Sequence, residues 1–341
     1  MKTKLFLLAA AATLASCSSS DDAPNYYDGT IRLTTTDMSV NTRGIDQDIQ
    51  STQFLNGETV DIFLWDAANT GYSTEPGTPA AFTFYTQPLV CTADGSGGLS
   101  FVTPQYWPIQ EHPLTIYGVY PSGAVGSTPI GTADMNIDFT VQSDQSTAAD
   151  YKASDLMVGM PTSGVDTDNP TVAASCAYDE NVPLTFKHML SKININLSKT
   201  TATTEITDEQ LKSAKVSLLN IKPTAHFSPK KATALAAEAD GTAGPVVLYD
   251  GTSEPNPAQP KPTYSGIVPP QTFAAATQFI KIEVGADTFV YSIPAGGLTL
   301  EGKKVYTFDI KIHKATIILT TTITDWVDGT PNPTEGNALL Q

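Results

Sequence analysis

Short runs with apolar residues at every second position dominate the chain after residue 55. Within residues 191–197, the side chains of Ile193, Ile195 and Leu197 share one face of an extended strand, and Lys or Asn occupies the positions between them. The other elements predicted are strands at 60–65, 81–85, 114–120, 135–141, 182–186, 279–284 and 305–312, a short helix at 207–215 and one or two helical turns at 230–237. The pattern therefore predicts an all-β fold with minor short helices.

Polar and turn-forming residues divide this pattern into two parts. Runs rich in Asp, Ser, Thr and Gly at 144–151 and 163–170 precede the strand that begins at Val182, so a domain boundary is predicted near residue 180. The 341-residue chain is also longer than one hydrophobic core usually organises. Alternating, half-buried strands are typical of β-sandwiches. We therefore predict two β-sandwich domains in tandem, followed by a tail rich in Pro, Gly and Asn.

The first residues carry an export pattern. Two lysines precede an apolar run at 5–15, which is too short to cross a bilayer as a helix and is typical of a signal peptide. Leu14-Ala15-Ser16-Cys17 resembles the lipobox of bacterial lipoproteins. We therefore predict a signal peptide at 1–16, cleavage between Ser16 and Cys17, and a lipid on the Cys17 thiol. The alternative is an ordinary secretory signal with a cysteine at this position by chance.

Charge and cysteine content restrict the partners and the covalent structure. Asp and Glu number 35 against 19 Lys and Arg, giving a formal net charge of −16 at pH 7. This charge argues against nucleic acid as a partner, because binding to phosphates requires basic patches. Besides Cys17, the chain has only Cys91 and Cys176. A disulfide between them is allowed in an exported protein but is not required.

The candidate patterns for catalysis or metal binding are all incomplete. The four histidines stand far apart and lack the spacing of a metal site. Residues 166–170 begin like a calcium loop, but Pro170 stands where glycine is needed. Residues 251–255 lack the final glycine of a nucleophile elbow. The sequence therefore predicts no enzyme activity, no metal site and no cofactor.

Aromatic residues offer the main alternative function, which is a platform for stacking a sugar ring. The candidates are Trp65, Trp107, Trp326, Tyr26, Tyr27, Tyr106, Tyr117 and Tyr120. Aromatic residues on strands more often pack in a core than face a ligand. A glycan-binding β-sandwich on the outer surface nevertheless stays open at this point.

Four short motifs point to one family. Residues 182–193, VPLTFKHMLSKI, contain the pattern apolar-x-Phe-x-His-x-Leu-[Ala/Ser]-Lys-Ile. The other motifs are VYP at 119–121, SDLM at 154–157 and ITDW at 323–326. They are spread over nearly the whole mature chain. Together they resemble the fimbrillin family, the subunits of type V pili.

The resemblance implies two transthyretin-like β-sandwich domains and a leader that is removed. The implied parts are an acylated leader at 17–43, domains at 44–180 and 181–326, and a tail at 327–341. In that family, a trypsin-like protease cuts after an arginine in the leader and thereby removes a strand. Arg43-Gly44 stands where this cut is expected, and an alternating edge strand with Ile31 and Leu33 facing inward precedes it. A strand from a neighbouring subunit then fills the groove by β-augmentation.

The C-terminal tail is the source that the resemblance implies for this donor strand. Its sequence fits the role poorly, because Pro331 and Pro333 remove ladder donors and only Ala338, Leu339 and Leu340 offer apolar anchors. The position in the pilus therefore stays open among a stalk subunit with an unusual donor, a tip subunit and an uncleaved anchor.

The resemblance thus implies a structural pilus subunit that supports adhesion. It would reach the outer membrane as a lipoprotein and then join a cell-surface fimbrium. Its expected partners are other pilus subunits, a trypsin-like processing protease, the outer membrane through the lipid on Cys17, and a surface ligand on a host or microbe. The alternative is an uncleaved outer-surface lipoprotein, either a pilus anchor or a glycan-binding β-sandwich.

Overall fold

The fold is almost entirely β, which confirms the prediction. The computed structural model describes residues 29–36, 53–66, 88–107, 114–124, 137–161, 171–172, 181–199, 206–227, 238–250, 263–313, 316–325 and 331–334. The strands up to residue 188 are β1 (Leu33–Thr36), β2 (Thr59–Asp66), β3 (Leu89–Ala93), β4 (Gly98–Phe101), β5 (Leu114–Tyr120), β6 (Ile137–Thr140), β7 (Met157–Pro161), β8 (Thr171–Val172) and β9 (Val182–His188). The later strands are β10 (Ser191–Lys199), β11 (Lys215–Ile221), β12 (Thr224–Phe227), β13 (Glu238–Asp240), β14 (Gly244–Val247), β15 (Thr263–Val268), β16 (Gln271–Phe273), β17 (Gln278–Val284), β18 (Asp287–Ser292), β19 (Leu298–Leu300), β20 (Lys304–His313), β21 (Thr316–Asp325) and β22 (Pro331–Thr334).

Two short helices complete the described structure. Helix α1 spans Ala148–Ala153, and helix α2 spans Asp208–Lys212. The prediction of a helix at 207–215 is confirmed, and a capping box between Thr207 and Gln210 explains where α2 begins. The polar run at 144–151 predicts a loop, whereas Thr147 caps α1 there. Within the described residues, no helix has the length and apolar character that crossing a membrane requires. The elements predicted at 81–85 and 230–237 lie outside these residues.

Seven strands of the first half form a closed, barrel-like sheet. Their order is β2, β3, β4, β1, β9, β7 and β5, and β5 pairs with β2 to close the circle. Apolar side chains inside it form one core, which includes Val60, Ile62, Leu114 and Ile116. The sequence predicts a sandwich here. The sheet closes because β2 pairs with β3 on one side and with β5 on the other.

The second half is a sandwich of two facing sheets. One sheet has the order β15, β10, β20, β21 and β22, and the other has the order β14, β11, β17 and β18. Their facing side chains form a single core that includes Ile195, Leu218, Phe279, Ile282 and Phe308. The alternation read from the sequence thus places the correct side chains inside.

The chain passes from the first sheet to the second between His188 and Ser191. Strand β9 pairs with β1 and β7, whereas β10 pairs with β15 and β20. The division into domains near residue 180 stays a prediction. This pairing favours a division after β9, so that the motif at 182–193 connects the two sheets.

The two halves share a third core and a ladder. Strand β6 of the first half pairs with β12 of the second, with Phe139 opposite Ala225. The buried side chain of Gln145 adds two hydrogen bonds to one residue of β15: the Ile267 N–H donates to Gln145 Oε1 at 2.9 Å, and Gln145 Nε2 donates to the Ile267 carbonyl at 2.8 Å. These bonds imitate one step of a β-ladder. Gln145 therefore fastens the first half to the edge of the second.

The polar face of β10 is more buried than its alternation predicts. The first five residues of the strand are buried on both faces, including Lys192 and Asn194. The strand begins beside the shared core, which contains Met189 and Leu190. Ser265 Oγ donates to Asn194 Oδ1 at 2.9 Å, so this buried amide has a partner on β15.

Replacing Gln145 by alanine should weaken the junction between the halves. The substitution leaves the Ile267 N–H and carbonyl without these partners in a buried position, which should lower the free energy of unfolding by about 1–3 kcal/mol. Urea unfolding of the purified protein measures this loss. Gln142→Ala is the matched control, because the Gln142 side chain is exposed and should change stability by less than about 0.5 kcal/mol. Equal losses in the two variants would contradict the role assigned to Gln145.

Candidate functional site

The segment at residues 29–36 is held on both sides within the closed sheet. On one side, the Ile31 N–H donates to the Gln105 carbonyl at 2.7 Å, and β1 runs antiparallel to β4. On the other side, the Val182 N–H donates to the Arg32 carbonyl at 2.8 Å, and β1 runs parallel to β9. The alternation at 30–35 predicts an edge strand, but this segment lies in the interior of the sheet. Its removal would leave two strands, β4 and β9, without their shared neighbour.

The side chains of this segment divide into an inner and an outer set. Ile31 and Leu33 are only 4 % and 2 % exposed and belong to the core inside the barrel. Leu33 lies opposite Leu99 on β4 and Val182 on β9, both of which are buried. The Arg32 side chain is exposed, and an open cleft adjoins the segment. The inner side chains therefore fill an apolar position whose walls come from later parts of the chain.

Three of the four sequence motifs meet on neighbouring strands. Tyr120 of the VYP motif on β5 is paired with Met157 of the SDLM motif on β7, and Met157 is paired with His188 on β9. Next to this row, His188 Nδ1 lies 2.8 Å from Asp155 Oδ1, and both side chains are buried. The pair joins the start of β7 to the end of β9. We infer a structural role for His188, because a buried pair of this kind fixes strand positions.

The phenylalanine of the longest motif fills space that two glycines leave open. Phe186 on β9 is 2 % exposed, and a Cβ atom added at Gly118 or Gly159 would lie 2.5 Å from its ring. The ring also packs edge-on against Phe54, with ring centroids 4.9 Å apart. The absence of side chains at these two positions on β5 and β7 therefore allows Phe186 to reach the middle of the barrel core.

The tail contributes a strand despite its composition. Strand β22 pairs antiparallel with β21, with Thr334 opposite Thr321 and Pro331 opposite Thr324. The sequence predicts poor strand formation here, and the two prolines are tolerated because β22 is the last strand of its sheet. The candidate anchors Ala338, Leu339 and Leu340 lie outside the described residues.

Several other predicted site residues also lie outside the described residues. These are Ser16, Cys17, Arg43, Gly44 and Cys176. Cys91 is a free, buried cysteine, and burial raises the pKa of its thiol above the usual range. The thiol therefore stays protonated at neutral pH and is poorly reactive.

The aromatic residues give little support to a sugar platform where the structure describes their side chains. Trp107, Tyr117 and Tyr120 are buried in the cores, whereas Tyr106 is 55 % exposed. In the same parts of the chain, no three His, Cys, Asp or Glu side chains lie together as a metal site would need. The feature with the clearest functional geometry is therefore the apolar position that residues 29–36 fill.

Comparisons with known proteins agree with the motifs. A family model described as fimbrillin-like matches residues 42–326. A candidate cell adhesion protein from Bacteroides uniformis has a similar structure, with a TM-score of 0.57 and 19 % identity over 88 % of this chain and 98 % of that chain. A second candidate cell adhesion protein, from Bacteroides ovatus, gives a TM-score of 0.58 and 16 % identity with the same coverage. At these identities, the likeness shows the fold alone. No curated protein sequence matches this chain.

Proposed function

The chain belongs to the fimbrillin-like family, as its motifs predict, and on this premise we propose that it is a structural subunit of a cell-surface fimbria. It is exported as a lipoprotein on Cys17, cut after Arg43 and assembled by donor-strand exchange. It supports adhesion and contributes no catalytic step. Its partners are other pilus subunits, a trypsin-like protease and a ligand on a host or microbial surface. Before the cut, the lipid holds it at the outer membrane.

The position of residues 29–36 is the observation that carries this proposal. They lie between Cys17 and Arg43 in the sequence, so a cut after Arg43 separates this strand from the rest of the chain. The strand supplies Ile31 and Leu33 to the barrel core and a ladder to each neighbour. Its departure therefore creates an apolar groove with two open strand edges. Another strand of the same kind would both cover the apolar groove and pair with the two open edges.

The same geometry explains why the precursor carries its own strand. Open edges and exposed apolar grooves favour aggregation, so a groove filled within the chain keeps the precursor soluble during export. Once the leader is cut, a strand from a neighbouring copy can take its place and link the two copies by β-augmentation. The resemblance assigns the donor to the C-terminus, where Ala338, Leu339 and Leu340 are the predicted anchors. The cut thus acts as the switch from monomer to polymer.

Arg43→Ala is expected to keep the leader attached and to prevent assembly. Protein recovered from the surface of wild-type cells should begin at Gly44 and form a ladder of multimers on an unboiled gel. The Arg43→Ala variant should instead begin at acylated Cys17 and give a single monomer band. Mass spectrometry of the intact protein measures the N-terminus, and the gel measures assembly.

Arg32→Ala is the matched control for this experiment. It removes the same charge from the same leader, but at an exposed position immediately before β1. This variant should be cut and should polymerise like the wild type. A wild-type protein that starts at acylated Cys17 and runs as a monomer would overturn the proposal and favour an uncleaved anchor or a glycan-binding lipoprotein.

A further inference from the structure

Two distant segments of the chain have nearly the same sequence. Residues 30–36 read TIRLTTT, and residues 316–322 read TIILTTT. Six of the seven positions are identical, and the single difference places Ile318 where the first segment has Arg32. The first segment contains β1, which fills the groove, and the second begins β21.

The position that differs is not one of the two whose side chains fill the barrel core. In the first segment, Ile31 and Leu33 are buried in the barrel core, whereas the Arg32 side chain is exposed. The second segment repeats the isoleucine and the leucine at the same spacing, as Ile317 and Leu319. Because alternate residues of a strand face the same side, this spacing presents the same two apolar side chains to one surface. Residues 316–322 therefore match the filling strand at its inward positions.

The place of β21 in the fold gives this match a structural context. Strand β21 pairs with β20 along its whole length, but β22 pairs only with Thr321–Thr324. In the described parts of the chain, residues 316–320 have a ladder on one side only. Two of the four residues of β22 are proline and lack an N–H group, so the outer ladder is weak. The β21 strand also belongs to a different sheet from β1.

We propose that residues 316–322 of one copy fill the groove that β1 vacates in a second copy. This inference rests on the proposed function and names the segment that exchanges. The tail anchors match the groove less well, because Ala338 and Leu340 at alternate positions offer a methyl group where the groove holds isoleucine. The β1 strand occupies the position until the leader is cut, so the exchange begins only after processing. When β21 leaves β20, its ladder with β20 is lost. The ladders to β4 and β9 and the burial of two apolar side chains in the groove offset this loss.

Engineered cysteines test this inference directly. Thr36 of β1 is paired with Thr185 of β9, and Thr322 is the residue that corresponds to Thr36. Paired residues on adjacent strands lie within reach of a disulfide. The full chain with Thr185→Cys and Thr322→Cys, cut after Arg43 and oxidised, should give a ladder of multimers that survives denaturant and collapses on reduction. The uncut chain with Thr36→Cys and Thr185→Cys should form the bond within one copy, which validates the geometry.

The competing donor is tested in parallel. The chain with Val182→Cys and Leu340→Cys reports exchange through the tail, because Leu340 corresponds to Leu33, which is paired with Val182. Crosslinked multimers from this variant but not from the Thr322 variant would overturn the inference and leave the proposed function intact. If multimers form but neither cysteine pair crosslinks them, the inference is also overturned, whereas the proposed function is not. A parent chain that is cut at Arg43 and stays monomeric would overturn both proposals.

A peptide measurement keeps the test independent of the folding of the variants. A fluorescent peptide of residues 315–323 should bind the cut full chain, as measured by anisotropy, and should not bind the uncut chain. A peptide with Ile318→Arg restores the leader sequence and should bind within about threefold of the parent peptide. A peptide with Leu319→Asp places a charge in the apolar groove and should bind more than about tenfold more weakly. Equal binding of the two changed peptides would overturn the inference.

Discussion

Replacing Phe186 by alanine is expected to lower the free energy of unfolding by about 3–5 kcal/mol. The ring is almost fully buried, contacts Phe54 edge-on and occupies the space above Gly118 and Gly159. Neither glycine has a side chain that could move into the cavity, so the barrel core relaxes only partially. Urea unfolding of the uncut chain measures this loss.

Two further variants separate this packing role from a general effect of removing a phenyl ring. Phe101→Ala is the matched control, because Phe101 is only partly buried against the same core and should cost less. Gly159→Ala should destabilise the wild type, because the added Cβ would meet the ring at 2.5 Å. In the Phe186→Ala background that clash is gone, so the second substitution should cost almost nothing. Additive losses would contradict the packing described for Phe186.

Most strands could be identified from the sequence, because a strand that is buried on one face has apolar residues at every second position. The alternation at 191–197 correctly assigned Ile193, Ile195 and Leu197 to the core of the second half. Alternation specifies which side chains share a face, but not which strands become neighbours. Strand β1 was therefore predicted as an edge, although it lies between β4 and β9. Closure of the first sheet was missed for the same reason.

The contacts among the motifs could not be predicted from spacing. Asp155 and His188 are 33 positions apart, and only the pairing of β7 with β9 brings them together. The role of Phe186 depends on two glycines on other strands, which the sequence presents only as small residues. The junction residue Gln145 gave no signal either, because a polar residue in a polar run predicts an exposed loop. Long-range pairing determines each of these contacts.

Leu33→Asp should strongly destabilise the uncut chain, by at least about 3 kcal/mol. Removing a buried leucine side chain alone costs about 2–5 kcal/mol. The aspartate adds an unpaired charge in an apolar core between Leu99 and Val182. We expect a lower midpoint in urea and faster digestion of the precursor by proteases.

Leu33 lies in the leader whose removal we propose, so this prediction is specific to the precursor. Arg32→Asp places the same carboxylate at the neighbouring, exposed residue outside the core and should cost much less than Leu33→Asp. After the cut at Arg43 and removal of the leader, residue 33 is no longer part of the protein, so the Leu33→Asp and wild-type chains should become identical in stability. If Leu33→Asp had no effect on the uncut chain, the leader strand would not fill the barrel core, and the cut could not open a groove. The same urea measurement on one substitution, before and after the cut, therefore tests both the fold of the precursor and the premise of strand exchange.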